Sequence, residues 1–380
     1  MTNEKPLRVL YVGSPELFSK GASAIHIMKM CQAMGRLGVS TELAIASNKK
    51  HGEILEYYGV ESNFRITSFP YFRNSSARNI VHGLLGSLYA GFKRGGFDIA
   101  VTRNIVFTYF ATSLFGIPTV YDAHHPLVKG ARFLFNSFKD SKSLIRFTAN
   151  SRGLGEIYLE EGLPPEKLVI AHNGVDPAPF NRLPSKEEAR AELGLPSDKN
   201  IVCYAGNIYE GRGIEYLIDV SLTMKDVLFL IVGGRERDVA RYGEIARRKQ
   251  AGNFILKGFV HHRIVPLYLS ASDLLVMPYT SGMTIRGGTV ARDFTSPIKL
   301  FEYMASRRPI VATAIPSVCE ILEDGVNAVL VRPDSSDKLH GGIKKILENP
   351  ALADRLAVRA LEDVRGYTWE ERAKKLLNLP

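Results

Sequence analysis

The segment Ser296-Pro-Ile-Lys-Leu-Phe-Glu-Tyr-Met-Ala-Ser306 puts a carboxylate where a helix should be burying apolar groups. Ile298, Phe301 and Met304 recur at helical spacing, Pro297 suits a first turn, and Glu302 shares the side of Ile298. An acid on a core-facing side needs a partner. A ligand's vicinal hydroxyls would supply one, because a carboxylate accepts two parallel hydrogen bonds; a salt bridge to Lys299 or an arginine would serve equally. A second candidate is Gly206-Asn-Ile-Tyr-Glu-Gly-Arg-Gly213, between a strand end and a helix start. Backbone N–H groups at a helix start favour phosphate, and Arg212 adds charge and donors. Glycine also suits any tight turn, so the loop alone is a weak signal, as are Gly233-Gly-Arg235 and the loop bearing Gly13 and Gly21. Third, Tyr121-Asp-Ala-His-His-Pro126 follows a strand end, where a histidine is either a proton handler near a leaving group or an ordinary loop residue capping backbone. HExxH, GxSxG and GxxxxGK[ST] patterns do not occur, which argues against zinc-peptidase, nucleophile-elbow and P-loop chemistry.

The elements that must position these residues alternate between strand and helix. Short β-rich apolar runs at Leu7–Val12, Thr41–Ala46, Phe97–Thr102 and Ile117–Tyr121 are separated by helical patterns, the clearest being Ala24, Ile25, Met28, Cys31, Met34 and Leu37. The pattern recurs at Asn200–Ala205, Val227–Val232, Leu274–Pro278, Pro309–Thr313 and Ala328–Val331. Alternation of this kind predicts parallel sheets with helices on both faces. Turn signals in His172-Asn-Gly-Val-Asp-Pro177 place a junction there. The expected fold class is therefore α/β, with two Rossmann-like doubly wound domains over 1–176 and 177–366 facing a cleft. Residues 367–380 remain as a C-terminal helical segment.

Composition sets the outer limits. The chain has 380 residues, 45% hydrophobic and 23% charged, an ordinary globular balance. Cys31, Cys203 and Cys319 form no CxxC pair, so a reducing, cytoplasmic setting is the simpler expectation. No apolar run is long enough to span a bilayer. The 49 basic and 39 acidic residues leave a net charge of +10, compatible with nucleic acid, an anionic membrane or phosphorylated substrates. From Asn63 to Arg152 only Asp98, Asp122 and Asp140 are acidic. That stretch holds two amphipathic segments. One is Ala77, Val81, Leu84/Leu85, Leu88 and Phe92, flanked by Arg73, Arg78, Lys93 and Arg94. The other is Val128, Ala131, Leu134/Phe135 and Phe138, beside Lys129, Arg132, Lys139 and Lys142. Such stripes either face a core or lie on an anionic membrane. No recognised nucleic-acid motif is present, and no nucleic-acid partner is expected.

Together the motifs resemble the GT-B glycosyltransferases, specifically the retaining family 4 type. The resemblance covers almost the whole chain: the strand-loop-helix from Arg8 to His26, Asn173-Gly-Val-Asp176, Pro297 to Thr313 with Ser317 to Leu322 and Gly325, and Tyr367-Thr-Trp-Glu-Glu-Arg372. It implies transfer of a sugar from a nucleoside-diphosphate sugar, a co-substrate rather than a cofactor, to a hydroxyl acceptor. Glu302 stands where the family's second motif glutamate holds the donor ribose, with Ser296 and Lys299 beside it. The first glutamate is replaced by Phe294, so sugar contact falls to Asp293 or to backbone amides around Thr295 and Ser296. The family's diphosphate-binding pair falls at Asn207 and Arg212, where only Arg212 is charged. Gly13 and Gly21 match the loop that approaches the diphosphate, and His124 matches the histidine near the transferred sugar. His124 and Asp293 are thus the catalytic candidates. No Asp-x-Asp motif is present, and neither a metal nor a cofactor is expected. The segment from Tyr367 resembles a helix crossing back to the first domain. The expected role is synthesis of a surface glycan or glycolipid, with a lipid-linked acceptor and a peripheral position on the inner face of the cell membrane. The alternatives are a soluble small-molecule acceptor and a nucleotide-sugar 2-epimerase.

Overall fold

The computed structural model describes residues 5–19, 21–93, 95–128, 130–284 and 289–380. Two compact units result, one of Met1–Gly174 with Trp369–Pro380 and one of Val175–Thr368. The division falls two residues before Pro177 because the Val175 amide donates to the Tyr367 carbonyl at 2.9 Å and Val175 pairs with Thr368 as an isolated bridge. Both crossing strands of chain thereby belong to the second unit.

The first unit is built on β1 (Arg8–Gly13), β2 (Ser40–Ala46), β3 (Arg65–Phe69), β4 (Ile99–Thr102), β5 (Thr119–Ala123), β6 (Leu144–Ala149) and β7 (Leu168–Ile170). These pair in parallel in the order β3-β2-β1-β4-β5-β6-β7, so the order reverses between β1 and β4. Such a switch point opens a crevice beyond the strands' carboxyl ends, where Gly13 and Arg103 stand. Leu10, Val12, Ala44, Ala100, Phe107 and Ala111 are buried together beneath it. Each large apolar side chain so buried contributes roughly 1.5–3 kcal/mol.

Two helices of this unit bear on function. Trp369–Leu377 packs on the helix Ala22–Arg36, buries Trp369, Arg372, Ala373 and Leu376, and pairs Glu370 with Arg36 at 2.9 Å. The helix Ser75–Phe92, capped by the Asn74 side chain, packs the other way round from an ordinary amphipathic helix. Its buried face is Arg78, His82, Gly83, Gly86, Ser87 and Ala90, and Ile80, Leu84, Leu88 and Phe92 are exposed. Close approach explains the inversion: a Cβ on Gly83 would lie 2.8 Å from the Asn104 side chain, and one on Gly91 would lie 2.8 Å from Phe115. In the segment Ala131–Phe138, by contrast, Ala131, Phe135 and Phe138 are core residues, so that stripe faces inward. Arg94 and Lys129, from the two basic flanks, lie outside the described residues.

The second unit carries β8 (Asn200–Ala205), β9 (Val227–Val232), β10 (Phe254–Gly258), β11 (Leu274–Met277), β12 (Ile310–Thr313) and β13 (Val329–Val331), parallel in the order β10-β9-β8-β11-β12-β13. Its switch point lies between β8 and β11. There β8 runs into Gly206 and β11 into Pro278 and Tyr279. β9 is buried along its whole length, which accounts for its unbroken apolar run Val-Leu-Phe-Leu-Ile-Val.

Candidate functional site

In the first unit, His26, Asp122, His124 and Arg372 converge from three elements and one strand-following loop. Asp122, the penultimate residue of β5, is buried and accepts from Arg372 Nη2 at 2.5 Å, Thr148 Oγ1 at 2.8 Å and His124 Nε2 at 3.0 Å. Burial alone would raise its carboxyl. The Arg372 guanidinium and the neighbouring histidines instead hold it well below the usual carboxylate range. An ionised carboxylate only accepts, so His124 Nε2 carries the hydrogen and Nδ1 accepts from Asn150 Nδ2 at 3.3 Å. Burial, joined by the Arg103 charge, pushes His124 down to about 3, so at neutral pH its imidazole is uncharged and fixed in one tautomer. His26 stacks edge-on against His124 at 4.5 Å and against Trp369 at 5.2 Å, and burial holds it well below its ordinary value too. Neither His26 nitrogen has a hydrogen-bond partner among the described residues.

His26, Asp122 and His124 offer ligand atoms within 4.8 Å of one another, a spacing that could hold a metal. The carboxylate of that set is already engaged by Arg372, whose Nη2 lies 3.4 Å from His124 Nε2. A divalent ion would have to sit against a guanidinium, so this donor set is poorly suited to one.

The second unit places the Gly206–Gly213 loop at its switch point, ahead of the helix Ile214–Thr223. Glycine is required by contact as well as by φ: at Gly213 (φ +71°) a Cβ would lie 1.7 Å from the Pro278 carbonyl oxygen, and at Gly233 (φ +117°) 2.3 Å from that of Gly206. The buried Arg212 lies between the Tyr209 and Tyr279 rings, 4.6 and 4.7 Å from their centroids. It donates to the Tyr209 hydroxyl at 2.5 Å, the Thr284 carbonyl at 3.3 Å and the Met283 sulfur at 3.0 Å. The Lys299 Nζ is buried against Gly206, lies 3.8 Å from the Tyr204 ring centroid, and has no hydrogen-bond partner among the described residues. Burial, then the charge of Arg212, holds this amine well below the ordinary lysine value. Among the described residues neither cation is in an ion pair.

Glu302 is buried on its helix, Ile298–Ala305, as the spacing predicts, and one partner is His262, whose Nε2 lies 2.6 Å from Oε1. That contact is neither of the ion pairs expected from sequence, to Lys299 or an arginine. Pro297 stands one position ahead of the helix, at its N-cap. Ser296 is buried just before it. Phe294 is buried in the interior, and Asp293 is half-exposed and paired with its neighbour Arg292 at 3.2 Å. The Thr295 and Ser317 hydroxyls, 3.1 Å apart, tie down the segment between them. The Asn207 carbonyl accepts from the Tyr204 hydroxyl at 2.5 Å. Gly13 packs against Ile27, where a Cβ would lie 2.7 Å from its Cδ1, and Gly21 caps the helix Ala22–Arg36.

The structure thus brings Arg212, Lys299 and the glycine loop together in one unit, and His124 together with Asp122 in the other. Sequence reasoning missed His26, Arg372 and His262. His262 had a signal: like His124, it belongs to a His-His pair shortly after a strand end, β10.

Residues 23–179 match the family described as Glycosyltransferase Family 4, and residues 185–363 match Glycosyl transferases group 1. The chain is 27% identical, over 46% of its length, to an alpha-D-kanosaminyltransferase of Streptomyces kanamyceticus, covering 43% of that protein. The chain spans about half the length of the curated relatives it matches. Among solved structures, a glycosyltransferase from Rickettsia africae superposes with a TM-score of 0.78 at 17% identity, covering 99% of this chain and 98% of that one. Anabaena HepE in complex with UDP-glucose superposes with a TM-score of 0.73 at 18% identity, covering 98% of each chain. At these identities the likeness is one of fold.

Proposed function

We propose, on the premise that this chain belongs to the family-4-type glycosyltransferases of GT-B fold, that it moves a sugar from a nucleoside-diphosphate sugar to a hydroxyl acceptor with retention at the anomeric carbon. The observation that carries the reading is the pair of buried cations, Arg212 and Lys299, without an ion-pair partner beside a glycine-lined helix start. A buried guanidinium, and a buried amine whose charged form burial disfavours, both gain from an anion, and a diphosphate supplies it. The Anabaena protein that shares the fold was solved with UDP-glucose, which supports a nucleotide-sugar donor here.

In this reading Lys299 takes the place of the charge that Asn207 lacks. Glu302, backed by His262, accepts from the donor ribose hydroxyls. Arg212, Lys299 and the loop amides stabilise negative charge on the departing diphosphate. The bond from the anomeric carbon to the diphosphate oxygen breaks, the bond to the acceptor oxygen forms on the same face, and the acceptor proton passes to the departing phosphate. A neutral, weakly basic His124 supports a route in which no side chain removes that proton. We assign His124 to contact with the transferred sugar, and we read the cluster of His26, Asp122 and His124 as a polar contact site and not a metal site, because Arg372 already occupies the Asp122 carboxylate. The acceptor we infer is lipid-linked, which would place the protein at the inner face of the cell membrane. Among the described residues no helix is long and apolar enough to cross a membrane.

The test is turnover. Purified protein offered a panel of nucleotide sugars should release nucleoside diphosphate in the presence of a chelator, slowly to water and faster with an acceptor extract. Absence of both release and nucleotide binding for every donor would overturn the reading.

A further inference from the structure

The helix Ser75–Phe92 exposes apolar side chains that a core helix would bury. Ile80, Leu84, Leu88 and Phe92 follow one another at four-residue intervals along its outer face, and Phe92 is 89% exposed. Tyr71 and Phe72, also exposed, lead into it. At 1.5 Å per residue the helix is about 27 Å long, so this is a continuous ridge and not a scatter of single residues. Its existence is forced by the other face, where Gly83, Gly86 and Gly91 allow a close approach that larger side chains would block.

Charge selects the occupant. No Asp or Glu occurs between Glu61 and Asp98, and Asp98 is paired with Arg8 at 2.7 Å. Arg73, at the head of the ridge, is exposed and in no ion pair among the described residues. Lys93, at its tail, is half-exposed, donates to the Tyr89 hydroxyl and reaches Glu42 at 3.7 Å. An apolar ridge bounded by cations, on a stretch of chain without carboxylates and with Glu42 mostly buried beside its tail, complements a surface of anionic headgroups over acyl chains. A second copy of the same basic face would meet it with like charge.

We propose that the outer face of the helix Ser75–Phe92 docks this protein on an anionic phospholipid surface, with Ile80, Leu84, Leu88 and Phe92 entering the headgroup–acyl boundary and Arg73 and Lys93 meeting phosphates. The inference deepens the reading of a lipid-linked acceptor, but its test needs no turnover, so either can fail alone.

The experiment is sedimentation of the full chain with vesicles of equimolar phosphatidylglycerol and phosphatidylcholine, and with phosphatidylcholine alone. The expected result is retention on the anionic vesicles, weakened by about ten-fold or more in an Ile80→Gln, Leu88→Gln, Phe92→Gln variant. These side chains are exposed, so circular dichroism and thermal midpoint should match the parent. A Phe92→Trp variant should shift its emission to the blue on binding and be quenched by brominated acyl chains; Trp369, the other tryptophan, is buried. Equal binding by parent and triple variant, or no binding by the parent, would overturn the proposal. So would a concentration-dependent dimer in solution that the same substitutions abolish.

Discussion

Replacing Arg372 by methionine tests whether the first unit's polar cluster is organised by a residue contributed from the far end of the chain. Asp122 and Arg372 are both almost completely shielded from solvent, at 0% and 1% side-chain exposure, and meet at 2.5 Å. The variant leaves the carboxylate only the Thr148 hydroxyl and the His124 N–H, both uncharged donors. Removing one partner of a buried pair costs about 3–5 kcal/mol, against a total stability of roughly 5–15 kcal/mol, so a folded population should remain measurable. His26 and His124 are held neutral chiefly by burial and by charges other than Arg372, so the variant tests the Asp122 pairing itself. Urea unfolding at pH 8 followed by circular dichroism gives the loss. Combining Arg372→Met with Asp122→Asn removes both charges and should cost at least about 2 kcal/mol less than the sum of the single changes. A single-variant loss below about 1 kcal/mol at pH 8, or strict additivity, would refute this account.

Three other outcomes follow from the same coordinates. Lys299→Met should weaken UDP binding by about 10–100-fold, the value of a charge-assisted hydrogen bond of about 1.5–3 kcal/mol. Because burial disfavours the charged Lys299 amine in the free protein and a bound diphosphate would favour it, calorimetry in two buffers should show more proton uptake on binding by the parent than by the variant; equal uptake would refute its role. Gly213→Ala forces a Cβ to 1.7 Å from a carbonyl oxygen at positive φ and should lower the thermal midpoint by several degrees, whereas Gly252→Ala, which meets nothing within 4 Å, should leave it almost unchanged; similar midpoints would contradict the packing described. His82 and His125 are lowered to about 4 and His124 to about 3, so the unfolded chain takes up protons on them before the folded one does. Stability should therefore fall as pH drops below the unfolded value of 6.5, by up to about 1.4 kcal/mol per pH unit for each histidine. A flat urea midpoint between pH 6.5 and pH 5 would count against it.

What the sequence made legible divides by burial. β1, β2, β4, β5, β8, β9, β11 and β12 lie inside their sheets and are mostly buried, so each shows as an apolar run. β3, β7, β10 and β13 lie at sheet edges; β3 and β10 alternate in burial and β7 is only three residues long, and of these edge strands only β13, preceded by the buried Ala328, was legible as a run. β6 is interior but carries Arg146, whose guanidinium donates to the carbonyl of Leu376 at 2.9 Å, a pairing no local window can see. For the helix Ser75–Phe92, periodicity located the stripe but not the direction it faces. That was decided by glycines whose packing partners, Asn104 and Phe115, are remote in sequence.

The candidate site follows the same division, and its charge explains the split. Arg212 and the glycine loop were legible because a strand, a tight turn and a helix start are contiguous in sequence, and any anion bound there must use them. Lys299 was legible as a residue but not as a cation at Gly206, since 93 positions separate the two and only the sheet brings them together. Glu302 was recognised as a buried acid needing a partner, while His262, 40 residues earlier, could not be inferred from helical spacing. In the first unit the carboxylate that organises the cluster is Asp122, visible beside His124, but its counter-ion is Arg372, 250 residues on. Arg372 and His262 are thus each the remote half of a pair whose local half stands in a motif, while His26 enters the cluster by ring stacking and not through a pair. The net charge of +10 fits this pattern. Arg372 is buried against a distant carboxylate and Arg78 against the carbonyls of Ser14 and Phe72, whereas Arg212 lies between two tyrosine rings and the Lys299 Nζ has no hydrogen-bond partner among the described residues. Burial of a basic side chain is therefore not itself a mark of binding; what it is buried against is the better guide to where an anion is proposed.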